Sequence, residues 1–212
     1  MRRVAVFSGV WIVLLSIAAR AAYYKEDAKE EDKDKDRFAP AAASSYKGSQ
    51  TTEKITMAAV PFIGEEQIHT AFGKVDPNKY GVLPVLVILE NGTGKALRLS
   101  LQADYVAPDG KHLEATPPSD VTFVGGSGKA PRMPGTSPLP FPRKEKKGPL
   151  NIWQIEGRAF NAKLVPLGEK VYGFFYFQTN YLPGSTLYLT GISDASTGKE
   201  FLYFEVPLEK QP

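Results

Sequence analysis

Two histidines, no cysteine and a scatter of carboxylates set the chemistry open to this 212-residue chain. His69 and His112 each stand alone, without a second ligand at metal spacing or a nearby Ser/Asp pattern, and no Gly-x-Ser-x-Gly nucleophile elbow occurs. A triad needs only one histidine, so a secreted hydrolase using a carboxylate or a lone His stays open as an alternative. Asp104, Asp109, Glu114 and Asp120 follow turns and outward strand positions, where solvated acids are expected rather than the facing pair of a glycosidase. Gly125-Gly126-Ser127-Gly128-Lys129 invites a phosphate-loop reading, which fails: the upstream glycine is misplaced, Ala130 replaces the required Ser or Thr, and no helical pattern follows. Lack of cysteine removes disulfides, thiolate nucleophiles and thiolate metal sites. The inventory therefore predicts no catalytic residue, no metal site and no cofactor.

Binding is better provided for. Residues 125–149 are rich in proline and glycine and carry Lys129, Arg132, Arg143, Lys144, Lys146 and Lys147 against Glu145 alone, a local charge of plus five. Pro138-Leu139-Pro140-Phe141-Pro142 favours polyproline II, which presents side chains at low ordering cost. This basic loop is expected either to stay solvated as a flexible insertion or to adhere to an acidic polymer, an anionic lipid surface or a protein. A second candidate is the aromatic run at 171–178. Tyr172, Phe174 and Tyr176 share one strand face, Phe175 and Phe177 the other, and Tyr188, Phe201 and Tyr203 lie on neighbouring candidate strands. One face must be core. The other could stack on sugar rings or on a partner, with Tyr172 and Tyr176 as the contacts, unless residues 151–160 with Trp153 cover it. Both alternations are apolar, so periodicity does not choose between them. Asn91-Gly92-Thr93 is a formal glycosylation acceptor, read here as a hairpin turn.

The elements that must carry these residues are short strands. Residues 54–62 form the first, 64–72 a brief helix or irregular crossing, and 83–90, apolar on both faces, a central strand. Leu97, Leu99, Leu101, Ala103 and Tyr105 alternate with Arg98, Ser100, Gln102 and Asp104, the period of a half-buried strand. Pro108-Asp109-Gly110 turns the chain into a returning strand at 111–115, and 171–178, 186–192 and 201–208 complete the set. At least seven strands separated by proline and glycine predict an all-β, immunoglobulin-like antiparallel sandwich of about 7 to 9 strands over residues 51–212, with one long Pro/Gly/Lys-rich insertion.

Ahead of that domain, Arg2 and Arg3, a mainly apolar run from 4 to 19 and Ala19-Arg20-Ala21 read as an export signal over 1–21. The run is short for a bilayer span of about 20 residues, which favours cleavage over an N-terminal inner-membrane anchor. Residues 22–50 are expected to be a disordered linker, charged at 25–37 and Ala/Ser-rich at 39–45. Removing 1–21 takes three arginines from 26 basic residues and leaves 23 against 23 acidic, a net charge of zero. A global electrostatic case for nucleic acid is thereby lost.

Leu83-Pro84-Val85-Leu86-Val87-Ile88-Leu89-Glu90-Asn91 followed by Ala96-Leu97-Arg98-Leu99, and Leu164-Val165-Pro166-Leu167-Gly168-Glu169 followed by Gly173-Phe174-Phe175-Tyr176-Phe177, resemble a family of bacterial secreted immunoglobulin-like domains of unknown function. In these a strand ending in Asn leads to a turn, and a Pro-x-Gly-Glu turn precedes a Gly-aromatic strand. The likeness spans about residues 54–208 and implies fold and an exported, periplasmic or extracellular location, with no catalytic residues to transfer. The expected function is a non-catalytic envelope binding or accessory module contacting a protein, glycan or surface through the basic loop or an aromatic sheet face. Membrane contact could come from an uncleaved signal or the loop. A structural subunit assembling through edge strands is the other alternative.

Overall fold

The computed structural model describes residues 38–121, 124, 150, 152–201 and 203–210, without the side chains of 152 and 153. The six basic residues of the 125–149 insertion and the side chain of Trp153 therefore lie outside what is described. The compact unit begins at Pro40 rather than at residue 51. Its strands are β1 (Gln50–Thr52), β2 (Ile55–Pro61), β3 (Leu83–Asn91), β4 (Leu97–Val106), β5 (His112–Glu114), β6 (Leu164–Val165), β7 (Lys170–Phe177), β8 (Thr186–Asp194) and β9 (Phe204–Pro207). The helices are α1 (Glu65–Phe72), the single turn α2 (Pro118–Val121) and α3 (Ile152–Arg158). None of the described helices is long and apolar enough to cross a membrane.

The strands pair antiparallel into two sheets: β1-β2-β3-β7, here sheet A, and β5-β4-β8-β9, sheet B, with β6 also paired to β4. The β2–β3 and β8–β9 connections stay within a sheet, while β3–β4 and β7–β8 cross between them, the Greek-key connectivity of an immunoglobulin-like sandwich. Alternation explains the core between the sheets. Leu83, Val85, Val87 and Leu89 of β3 meet Leu97, Leu99, Ala103 and Tyr105 of β4, Leu187 and Leu189 of β8, and Phe204 and Val206 of β9.

The apolar character of β3 on both faces has a direct cause. Its other side, Leu86 and Ile88, is fully buried as well, in a second apolar layer with Ile68, Ala71 and Phe72 of α1, Ile155 of α3 and Phe174 and Tyr176 of β7. Phe72 and Phe62 close on Phe174 at 4.8 and 4.9 Å between ring centroids. The described residues of this unit are thus layered as helices, sheet A and sheet B.

Residues 40–46 belong to this packed structure, although the sequence predicts a disordered linker there. Pro40 and Ala43 are buried, and Ala43 opens a 3-10 turn, Ala43–Ser45. The Ala43 N–H donates to Glu90 Oε1 at 2.8 Å, and Lys170 Nζ donates to the Pro40 and Ala41 carbonyls at 3.0 and 3.4 Å. Two side chains on the outer face of sheet A hold the strap down. Small alanine side chains let it lie close to the strands, a packing role that composition alone reads as linker.

Candidate functional site

The sequence candidates that fall among the described residues have definite places. His69 is exposed on the last turn of α1, where its carbonyl accepts the Gly73 N–H at 2.8 Å as a C-cap. His112 is exposed on β5, with Nδ1 3.6 Å from Asp104 Oδ2 and its ring 6.3 Å from that of Tyr188. This His-carboxylate pair lies on a sheet face open to solvent. Asp109 is held by Lys111 Nζ at 2.7 Å, and that hydrogen bond lowers the carboxyl pKa and raises the lysine's. Among the described residues no group of three or more His, Asp or Glu is placed to hold a metal ion.

Tyr176 requires a correction as a contact residue. It is fully buried, its hydroxyl donates to the Ile155 carbonyl at 2.7 Å, and burial pushes its pKa far above the usual phenol value. A phenol in that position meets no ligand. Tyr172 is 37% exposed, opposite Ile88 on the outer face of sheet A. Residues 152–158 form the cover that the sequence allows for, with Ile155 as the buried wedge. The outer face of β7 is therefore largely interior.

The uncovered aromatic surface is on sheet B. Strand register places Glu114, Asp104, Tyr188 and Glu205 in one row across β5, β4, β8 and β9. Tyr203, just ahead of β9, stacks on Tyr188 with centroids 5.2 Å apart and an interplanar angle of 30°. Tyr203 is 51% exposed, and Gln102, Glu114 and Glu205 are exposed around the pair. The described helices pack against one another and against β7 of sheet A. The local reason is plain in β9: Phe204 and Val206 point into the core, so Glu205 and the neighbouring Tyr203 must point out. The sequence marks Tyr188 and Tyr203 only as aromatics on neighbouring strands. Their stacking depends on a β8–β9 register that no local pattern states.

A shallow depression of about 340 Å³ lies at one end of sheet A, lined by Lys54, Thr56, Glu90, Asn91, Gly92, Gly168 and Lys170. Glu90 and Lys170 are already engaged by the strap. Asn91 is 2% exposed, and its Nδ2 donates to the Lys95, Val165 and Pro166 carbonyls, while Oδ1 accepts from the Thr93 N–H and hydroxyl. Its main chain bonds Gly168 and Glu169. Asn91 thus ties the β3–β4 turn to the Pro166-Leu167-Gly168-Glu169 turn, and an amide so enclosed is inaccessible to glycosylation in the folded chain. Asp194 plays a similar part: it is 5% exposed and accepts from the Ser196 hydroxyl and N–H, the Thr197 N–H and Lys95 Nζ. The bonds from Ser196, followed by that from Lys95, hold its carboxyl well below the usual range.

Comparison with known proteins finds no matching family model and no matching curated protein.

Proposed function

We propose that this protein is a non-catalytic binding module of the cell envelope, exported by its N-terminal 21 residues, and that its contact surface is the outer face of sheet B. One observation carries the reading: the Tyr188–Tyr203 stack stands on the open face of sheet B, while the other sheet's outer face is largely taken up by helices and the strap. Flat, half-exposed aromatics supply contact area at low rotamer cost and are enriched where proteins bind protein or sugar. The partner is an envelope protein, glycan or surface. A further contact through the basic stretch 129–147 rests on its charge in the sequence.

The alternatives have less support. Among the described residues the approach of a histidine to a carboxylate, His112 to Asp104, is exposed and away from the depression. Assembly through the edge of β7 meets an edge partly in use: the Phe160 N–H donates to the Phe174 carbonyl at 3.0 Å and the Thr116 N–H to the Tyr176 carbonyl at 2.7 Å.

The test is site-specific photocrosslinking in the native envelope, with a benzophenone side chain at position 203, at 188, or at exposed Leu167 on the β6–β7 turn. A discrete adduct at 203 and 188 but not at 167 is expected. Adducts at 167 alone would sink the assignment. Tyr203→Ala should lose the 188 adduct without a change in melting temperature, whereas Tyr176→Phe should keep it and lose about 1 kcal/mol of stability with its buried hydrogen bond.

A further inference from the structure

The charge around the tyrosine pair narrows what the face can accept. Its central row holds three carboxylates, Glu114, Asp104 and Glu205, and Tyr188 sits between the last two in register. Glu114 and Glu205 are exposed and Asp104 is half-buried. Against them stand His112, which approaches Asp104, and Arg98 at the far end of β4 beside Leu164. Of the neighbouring lysines, Lys111 is paired with Asp109 and Lys210 lies over the ring of Tyr181, 5.6 Å from its centroid. Among the described residues the surroundings of the stack are thus net acidic, in a chain whose expected mature charge is zero.

Resting on the binding-face reading above, we propose that the occupant is a basic, extended polypeptide segment whose Arg or Lys side chains lie over the Tyr188–Tyr203 stack and pair with Asp104, Glu114 and Glu205. A guanidinium over a tyrosine face gains from the ring quadrupole, and a carboxylate at the ring edge completes its hydrogen bonding. Glu114 and Asp104 are register partners on adjacent strands, one interstrand spacing of about 4.8 Å apart, so a cationic side chain lying across them can meet both, while Glu205 flanks the stack on the other side of Tyr188. An anionic surface or acidic polymer would instead meet repulsion here and is excluded from this face.

The test uses the purified full chain and three probes: a fluorescein-labelled Arg-Gly repeat peptide, its Glu-Gly counterpart, and a labelled neutral glucan oligosaccharide. Anisotropy titrations are run at low and high salt. The expected result is binding of the Arg-Gly probe alone, weakened by salt. Asp104→Asn with Glu205→Gln should weaken it about fivefold, from two exposed charge pairs, and Tyr203→Ala severalfold, from the lost cation-π contact. Amide shifts confined to β4, β8 and β9 should accompany binding, and unchanged melting curves should show that the variants fold. Binding of the oligosaccharide alone, lost in Tyr203→Ala, overturns the cationic occupant and leaves the binding face standing. Arg-Gly binding untouched by any of these substitutions overturns both. Failure of the full chain to bind the Arg-Gly probe overturns the cationic occupant.

Discussion

Asn91→Ala should destabilise the fold by about 3 kcal/mol, and the structure shows where that comes from. Nδ2 has two protons and three acceptors, the carbonyls of Lys95 at 2.6 Å, Pro166 at 2.9 Å and Val165 at 3.1 Å, while Oδ1 receives the Thr93 N–H at 3.1 Å and its hydroxyl at 2.7 Å. Lys95 and Pro166 are exposed, so water replaces the lost donor there and the net loss is about 0.5 to 1 kcal/mol each. Val165 is fully buried, and leaving its carbonyl short of a donor costs about 1 to 3 kcal/mol. Because two protons make only two full bonds, the loss is one exposed bond plus the buried one to Val165, a sum of about 3 kcal/mol, or about 6 to 12 °C in Tm for a domain of this size. Thr93→Val removes only the hydroxyl contacts and should cost less than about 1 kcal/mol. Urea unfolding followed by far-UV circular dichroism measures both, with an unchanged m value confirming a change in stability alone. If Asn91→Ala loses no more than Thr93→Val, the two turns are not held by the amide and the account is wrong.

Two further outcomes follow from packing and charge. The Asp194 carboxyl pKa is depressed in the folded state, so the unfolded chain binds more protons and stability must rise with pH. That contribution is present above the unfolded value of about 3.9 and is lost as pH falls below it, so Asp194→Asn should flatten the acid limb of a Tm-against-pH curve; an unaltered limb would refute its role. At Gly173 of β7 an added Cβ would stand 2.4 Å from the Phe160 Cα and 2.7 Å from its nitrogen, both main-chain atoms. Gly173→Ala must push this crossing off the β7 edge, breaking the Phe160-to-Phe174 hydrogen bond and disturbing the stacked Phe160–Phe175 pair at 5.5 Å, with an expected loss of about 2 to 3 kcal/mol in urea unfolding. A loss under about 0.5 kcal/mol would show that the crossing moves freely.

The Pro-x-Gly-Glu turn and the strand ending in Asn are separate signals along the chain, yet they form one structural joint. Nothing local indicates this, because Asn91 and Val165 are brought together only by the two sheets. The same applies to β6, whose two residues are too few for any periodic signal and which exists because Leu164 and Val165 meet Arg98 and Leu97. The strap at 40–46 escapes composition for a related reason: its alanines read as linker until a sheet face and two charged side chains lie beneath them.

The sequence by itself determined the fold class, because period-two alternation in β4, a doubly apolar β3 and turn chemistry at Asp109-Gly110 and Gly168 are local consequences of strand geometry and of positive φ at glycine. Tertiary structure alone decided which aromatics meet solvent. In β7 both faces are apolar, so the choice between Tyr176 and the rest fell to the helices that bury one side and the sheet that buries the other. On β9 the alternation is legible, but the partner that makes Tyr203 part of a site is Tyr188, set by register across strands. Burial is a property of the neighbours a face acquires, and those neighbours are far away in the chain.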